Sequence, residues 1–472
     1  MFLLNIKTEF KIIYRNYWLT ALTLLLLALC LYAGWNGQQH VEQRQKAING
    51  AYDEMKASDI LLDARLDSLS KGLKINGPEW FYPNLPTATG NKNPRVAAFE
   101  PGNLSVIATG QSDLFNHYVK PTLTGDSFRL SFTELTSPIR LLMGNFDLSF
   151  VLVYLLPLVI ISFCYNILSG EKEKGSLVLI ASNPQSLKTW LAQKIFLRFG
   201  LITGLLILFI LLTLKINNVL LNSSVLALLL AVVLYSMFWF SLSFLINLKG
   251  KSSERNAITL LGLWVALVLI IPSLISQVAN TFHPVPSRTL LINEMRVLEN
   301  ETNEEQDKIL DNYMRDHPEL VVRDANGNVT EDFWQKYFAS KDMVAKKITP
   351  LLARYDNQLR LQQDLINQFR FLSPAILLQN NLTELAETST DHYAAYHQSV
   401  RNFQEEWQSF FLPMVFLNKP FTKEMISQFP QFRIESSNIK SHLTTNSLIT
   451  LLFIVALIAI SLTQQKRQLE SR

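Results

Sequence analysis

One triplet in this chain, Gly250-Lys251-Ser252, is typical of phosphate binding. In a phosphate-binding loop, the lysine and hydroxyl of such a triplet reach the phosphates and a magnesium ion. The loop also needs a glycine five positions before the triplet's own glycine, and Leu245 stands there inside an apolar run. We therefore expect no nucleotide site and no cofactor bound by this chain.

A second group of residues has metal-ligand types at the wrong spacing. Asp324, Asn326 and Asn328 match the start of a calcium loop, but Val329 and Gln335 occupy the positions that need glycine and glutamate. The sequence therefore predicts a turn here and no calcium site.

His392 and His397 are five residues apart, so a helix would not place both on one face for a metal ion. The sequence has no serine or cysteine nucleophile in an elbow setting and no distinctive carboxylate pair. It therefore predicts neither a metal site nor a catalytic residue, and the chain is not expected to be an enzyme.

The charged segment 169–194 is the remaining candidate for a functional role. Its first part offers charge partners and its apolar run offers a hydrophobic face. Such a segment performs no chemistry itself. It can contact another protein, or it can be an ordinary interfacial loop that anchors two membrane helices. The residues concerned are Glu171, Lys172, Glu173, Lys174, Gly175, Ser176, Leu177, Leu179 and Pro184.

Six apolar stretches must position this segment. Each is long enough to cross about 30 Å of hydrocarbon as a helix. With 49% hydrophobic and 17% charged residues, the chain is too apolar for a typical soluble domain. The sequence predicts an all-α polytopic membrane protein with six transmembrane helices, at 18–35, 148–168, 195–214, 225–246, 257–278 and 446–463.

Positive charge gathers on alternate connections between the stretches. Because short segments rich in Lys and Arg stay on the cytoplasmic side, both termini are predicted to be cytoplasmic. The basic residues follow the membrane boundary, which favours anionic lipids as partners and disfavours nucleic acid. The net charges are +2 for 1–17, +3 for 169–198, +2 for 247–256 and +2 for the tail 464–472, against −1 for 36–147 and −5 for 279–445.

Both long segments are predicted to be extracytoplasmic, mainly helical domains. In 36–147, apolar residues at heptad spacing from Val41 to Leu69 extend the first membrane helix outward. The segment 279–445 has enough residues for an independent core. Residues 1–17 are expected to be an interfacial helix, or simply a flank of the first span. Short strands or extended pieces are expected at 96–108 and 127–132, and helices at 289–315, 331–371, 375–387 and 390–411.

Two cysteines and two prolines fall inside the predicted spans. Cys30 and Cys164 cannot reach an oxidising aqueous compartment there, so the outer domains are expected to fold without disulfides. Pro157 and Pro272 each deprive a helix of one backbone donor. Each is a candidate for a transmembrane hinge, and a passive kink is an equally good interpretation.

The segment 169–194 resembles the signature of ABC-2-type permeases. The resemblance rests on Glu-x-Glu-x-Gly-Ser from Glu171 to Ser176, an apolar run, a small residue before Pro184, and Lys194 opening the next span. A serine at Ser176 replaces the commoner threonine. Most of the chain is similar to a bacterial subfamily with a large outer insertion of unknown function, through 145–147, 154–158, 373–375, 385–387 and 407–411.

In that family the segment forms a coupling helix that docks on a separate ATPase. The resemblance therefore implies a cytoplasmic ABC ATPase dimer, which would bind ATP and magnesium, and a second permease subunit, either identical or related. It also implies the bacterial inner membrane, with ATP hydrolysis driving export or movement of the outer domains. A periplasmic or outer-membrane partner is compatible with this family.

Two other classes keep the predicted membrane topology. A membrane-anchored periplasmic interaction or scaffold protein would use the outer domains without transport. An ATP-independent channel would need polar side chains facing a pore, and the spans contain few. Lipid, peptide and metal-chelate cargo are all compatible with the sequence.

Overall fold

The computed structural model describes residues 9, 11, 15–73, 78–110, 112, 116–125, 146–177, 187–249, 251–285, 288–303, 333–435 and 441–470. These residues are mainly helical. The helices are α1 Tyr17–Ser70, α2 Pro86–Lys92, α3 Leu148–Glu173, α4 Leu187–Ile216, α5 Ser223–Leu248, α6 Ser253–Phe282, α7 Arg288–Asn303, α8 Phe333–Phe369, α9 Pro374–Leu385, α10 Thr390–Phe416 and α11 Leu443–Glu470. Short 3₁₀ turns occupy Glu79–Phe81, Arg370–Leu372 and Lys423–Gln428.

Among the described residues, six helices are long and apolar enough to cross a membrane: α1, α3, α4, α5, α6 and α11. The prediction of a helical protein with six such helices is confirmed. The expected continuation of the first helix beyond its span is also found, since α1 runs without a break from Tyr17 to Ser70. Of the predicted interfacial helix 1–17, most residues lie outside the described ranges.

Helices α3 and α5 form the centre of the bundle. α5 packs against α3, α4, α9 and α11. The most apolar stretch of α3 is 61% buried and that of α5 is 56% buried. The corresponding stretches of α6 and α11 are each only 17% buried. The outer helices expose large apolar side chains such as Ile258 and Leu452. Apolar residues on every face are typical of helices surrounded by lipid or by other helices.

Side-chain contacts define two opposite ends of the bundle. At one end, here called the charged end, Glu9 lies against Lys194 near the start of α4. At the other end, Asn36 of α1 donates to the carbonyl of Phe146, just before α3, at 3.0 Å. Successive helices run in alternate directions between these ends, and α11 runs back toward the charged end. Which end faces the cytoplasm remains a prediction.

Two glycines allow α1 to lie unusually close to its neighbours. A Cβ on Gly34 would come within 2.0 Å of Thr213 Cγ2 on α4, and one on Gly37 within 2.1 Å of the Val106 carbonyl. Because only glycine lacks this atom, α1 can pack tightly on both α4 and the loop that contains Val106.

The segments 36–147 and 279–445 do not fold as two separate domains. Leu62 and Leu123 of the first share a hydrophobic core with Trp407 and Phe411 of the second. The Trp407 indole also donates to the carbonyl of Gly90 at 3.0 Å. We call the described residues of 36–125 and 288–435 the joint unit.

A second core of the joint unit again draws on both segments. Phe99 stacks on Tyr396 with ring centroids 5.2 Å apart, and the Tyr396 hydroxyl donates to the Ala97 carbonyl at 2.9 Å. The apolar face of α10, which carries Tyr396, Trp407 and Phe411, is thus covered by α1 and by the irregular chain that follows α1. The expectation of two domains is therefore replaced by one unit with shared cores.

The first part of the joint unit contains less regular secondary structure than the sequence pattern predicted. The only bridged pair of strands in the described residues is β1 Ala97–Ala98 with β2 Tyr118–Val119, which are antiparallel. The expected strand 96–108 is therefore mostly loop, and 127–132 lies outside the described ranges. Helices α8, α9 and α10 match the expected positions, whereas α7 is described only to Asn303.

Candidate functional site

The first part of the charged segment is a short helical extension of α3. After Cys164 the helix is interrupted by a turn over 165–168 and resumes as Ser169–Glu173. Gly175 ends it with a φ of +76°, a left-handed conformation that favours glycine. Lys172, Glu173, Lys174 and Gly175 are exposed.

Two residues of the extension attach it to the start of α6. The carboxylate of Glu173 accepts from the backbone N–H and the hydroxyl of Ser253, at 2.8 and 2.9 Å. The Ser169 hydroxyl lies 2.8 Å from the Ser253 hydroxyl. A carboxylate at a helix N-terminus is stabilised by the unpaired N–H groups and the helix dipole. The extension is thereby fixed to α6 as well as to α3.

Buried charges attach the same region to α4 and to the N-terminal residues. The carboxylate of Glu9 lies 3.0 Å from both the ammonium of Lys194 and the guanidinium of Arg198. The carboxylate of Glu171 lies 3.6 Å from the same ammonium of Lys194. The side chains of Glu9, Lys194 and Arg198 are each exposed by less than 10%. Since an isolated buried charge is strongly unfavourable, Glu9, Lys194 and Arg198 depend on one another.

Side chains from three helices satisfy the backbone at the interruption. Asn247 of α5 donates to the Cys164 carbonyl at 2.8 Å and accepts weakly from the Leu168 N–H at 3.4 Å. Asn256 of α6 donates to the Tyr165 carbonyl at 3.2 Å. Arg198 donates to the carbonyl of Phe163. The backbone groups that leave the helical hydrogen-bond pattern at this turn are thus bonded to side chains of other helices. The turn is therefore a specific part of the structure.

The structure brings most of the predicted site residues together but gives them different surroundings. Glu171 is half-buried, and its backbone carbonyl and its carboxylate both accept from the Ser176 hydroxyl. Leu177 is partly buried against the bundle core, so its apolar face is not directed outward as expected. Leu179 and Pro184 lie outside the described residues. The exposed part of the site is therefore its charged part.

The sequence interpretation missed Glu9, Arg198, Asn247 and Asn256 as parts of this site. A usable signal existed for Arg198, which lies four residues after Lys194 and so on the same helix face. The asparagines were detectable only as polar residues at the ends of apolar stretches. Their partners are 83 and 91 residues away in sequence, and no local pattern identifies them.

Pro157 follows a π-helical turn, Val151–Leu155, in the middle of the bundle. A proline cannot donate to the carbonyl four residues earlier, which is that of Val153. The Tyr235 hydroxyl of α5 donates to this carbonyl instead, at 2.8 Å. The Trp264 indole donates to the neighbouring carbonyl of Tyr154 at 3.2 Å.

Pro272 has the same local arrangement in α6, where it follows the π-helical turn Val265–Ile270. Within this turn the carbonyl of Leu267 accepts from the hydroxyl of Ser373 at 2.5 Å. Ser373 also caps α9, whose Ala375, Leu378 and Leu382 are buried in the bundle core. The joint unit is therefore connected directly to the irregular turn of a membrane-length helix.

Helix α9 also holds the start of α11. The Glu384 carboxylate accepts from the His442 N–H, its two oxygens lying at 3.2 and 3.0 Å. The Asn446 amide donates to Asn381 at 2.8 Å. A movement of α9 would therefore act on both α6 and α11.

The described residues contain no group of three or more His, Cys, Asp or Glu side chains that could hold a metal ion. Cys30 and Cys164 are buried and unpaired, in agreement with their predicted places inside spans. His392 instead pairs with Ser389 at 2.7 Å at the start of α10. Gly250 and the residues of the candidate calcium loop that precede 333 lie outside the described ranges.

Residues 288–435 match the model of a protein family described as a domain of unknown function, DUF3526. The match covers α7 to α10 and the chain up to Glu435, which is the second part of the joint unit. No curated protein matches this chain. No solved structure matches it either.

Proposed function

We propose that this chain is the membrane-spanning permease subunit of an ABC-2-type transporter in a bacterial inner membrane. The charged end and both termini would face the cytoplasm. A separate ATPase dimer would bind ATP and magnesium there, and a second permease subunit, identical or related, would complete the transporter. Hydrolysis would drive export or movement of the joint unit.

The observation that carries this proposal is the multiple attachment of residues 169–177. The segment is bonded to α6 through Ser253, to α4 through Lys194, and to α5 by way of the turn that Asn247 holds. A short element fixed to several helices transmits a rigid-body displacement to all of them. A simple connecting loop would need none of these bonds.

The exposed charges of the segment support a docking role for it. Lys172, Glu173 and Lys174 present both signs of charge on one exposed turn. Exposed charges at an interface determine partner choice and orientation more than they increase affinity. An ATPase surface with the opposite pattern would be recognised in this way.

A series of contacts connects the charged end to the joint unit, and it supports a function in which movement is transmitted between them. We assign Pro157 and Pro272 to hinges in this route, since each lies next to a π-helical turn whose carbonyls accept from side chains instead of only from the helix. Prolines and π-helical turns are the usual places for a helix to bend. Through Ser373, bending of α6 would displace α9.

The experiment is charge reversal on the exposed turn, Lys172→Glu with Lys174→Glu. The tagged full chain would be expressed in its native host and purified in mild detergent, and co-purifying proteins identified by mass spectrometry. We expect a stoichiometric protein with a nucleotide-binding loop to co-purify with the parent chain. Recovery should fall several-fold with the variant, because two favourable charge contacts become repulsive.

The matched control is Lys46→Glu with Lys56→Glu, which reverses two exposed lysines on α1 at the other end of the molecule. The control should retain the ATPase. Equal recovery with all three chains would reject the docking role of the segment. Recovery of envelope proteins without any ATPase would instead support a membrane-anchored scaffold built around the joint unit.

A further inference from the structure

The joint unit contains a cavity of about 300 Å³ between α1 and the chain around α2. This volume is at the lower end of the range for small-molecule sites. Its wall combines apolar side chains with two cations, and no carboxylate is among the described residues that line it. The lining residues include Leu61, Leu62, Phe81, Arg65 and Lys92.

The two cations are close to each other and have no carboxylate partner within the described part of the chain. Arg65 and Lys92 are both exposed at the cavity. Partial burial and the charge of Arg65 lower the pKa of Lys92. The ammonium of Lys92 lies 3.4 Å from the centre of the Phe81 ring, so its favourable contact is with an aromatic face.

Nearby carboxylates on α1 are already paired with other cations. Asp59 receives two contacts from Arg95, at 2.7 and 2.8 Å. Asp63 pairs with Lys423 at 2.9 Å. Asp59 and Asp63 are therefore committed elsewhere, and an external anion is a suitable partner for Arg65 and Lys92.

The neutral polar groups of the wall are used to hold the wall together. The Asn93 amide donates to the hydroxyl and carbonyl of Ser58, and the Thr89 hydroxyl donates to the Pro83 carbonyl at 2.8 Å. A ligand would therefore find an apolar surface at Leu61 and Phe81 and a positive charge beside it.

We propose that this cavity binds an anionic amphiphile, an acyl or alkyl chain that ends in a carboxylate or a phosphate. The apolar chain would lie against Leu61, Leu62 and Phe81, and the anion would lie between Arg65 and Lys92. The site is built within the joint unit alone, so it requires neither the ATPase nor transport. With a rise of 1.5 Å per residue, Ser58 lies about 35 Å along α1 from residue 35, where the predicted span ends. The ligand would thus be held well outside the bilayer.

The test uses the full chain in nanodiscs of zwitterionic phosphatidylcholine and a photoreactive dodecanoate probe. Crosslinked residues are mapped by mass spectrometry. We expect labelling of residues that line the cavity, with competition by dodecanoate or dodecyl phosphate and none by dodecanol. The relative strength of the two competitors identifies the carboxylate or the phosphate as the preferred anion.

Two variants address the anion and the apolar chain separately. Arg65→Glu with Lys92→Glu should reduce labelling of the cavity roughly tenfold, the effect of losing one good interaction. Leu61→Trp, which adds bulk to the wall without changing its charge, should reduce it as well. Lys46→Glu with Lys56→Glu is the matched control and should label normally. Labelling confined to the predicted membrane spans, or labelling unchanged in both variants, would overturn the proposal.

Discussion

The two ends of the bundle are held together by different physical means. At the charged end, Glu9, Lys194 and Arg198 are buried and paired with one another. At the opposite end, the joint unit is attached by dispersed hydrogen bonds, such as those of Asn36 with Phe146 and of Ser373 with Leu267. The first arrangement concentrates its stability in a few residues, and the second distributes it over many.

Under the proposed function, one end would receive a displacement and the other would respond to it, and this difference suits those roles. A buried charge network tolerates little rearrangement, because each charge that loses its partner becomes strongly unfavourable. A surface of many small contacts can shift without a large change in any single one. The charged end should therefore be rigid and sensitive to substitution, and the joint-unit end more tolerant.

The largest effect is expected for Glu9→Gln. The substitution removes the buried negative charge that lies 3.0 Å from both Lys194 and Arg198. We expect a loss of about 3–5 kcal/mol in the free energy of unfolding, the usual result of breaking one side of a buried ion pair. Denaturant unfolding of the purified chain in detergent measures this loss of unfolding free energy.

The control for this prediction is Glu54→Gln at the other end. Glu54 pairs with Lys120, but its side chain is 75% exposed. Exposed pairs contribute little to stability. If Glu9→Gln were as mild as Glu54→Gln, the contrast between the two ends would be refuted.

An intermediate effect is expected for Asp147→Ala, at the joint-unit end. The buried carboxylate of Asp147 caps α3 by accepting from the Phe150 N–H at 2.9 Å, and it also accepts from the Thr109 N–H at 2.9 Å. Alanine would leave both donors without this acceptor, at a cost of about 2–3 kcal/mol. The same unfolding assay measures it.

Asp147→Asn sharpens this result because it keeps one acceptor oxygen and should lose less stability than alanine. A loss equal to that of Glu9→Gln would show that the joint-unit end also depends on single residues. The proposed distribution of stability would then need revision.

The smallest effect concerns pH and His392. Burial lowers the pKa of His392, while the carboxylates of Glu387, Glu384 and Asp391 act in the opposite direction. The unfolded chain therefore takes up the proton at a higher pH than the folded chain does. Stability should fall as the pH drops from the ordinary histidine value of about 6.5 toward the lower folded value.

His392→Gln should remove that part of the pH dependence. Thermal unfolding of both chains between neutral and mildly acidic pH compares the slopes. A steeper loss of stability at acidic pH in the variant than in the parent chain would contradict the assigned direction.

Much of the helical framework could be predicted because its signal is local. An apolar run of membrane length is visible in the sequence, and so was the continuation of α1 beyond its span. Contacts between distant residues could not be predicted. The joint unit depends on pairs such as Gly90 with Trp407, which are 317 residues apart. The candidate site shows the same limit, since Glu9 and Arg198 are 189 residues apart.

The sequence by itself determined the six membrane-length helices, their alternating directions and the charged segment between α3 and α4. These features depend on the transfer of apolar residues from water and on helical periodicity, which act on neighbouring residues. Only the tertiary structure decided that both long segments share one set of cores, and that Glu9 is enclosed by Lys194 and Arg198. The physical reason is that burial and charge pairing depend on proximity in three dimensions. Residues far apart in the chain become neighbours only when it folds.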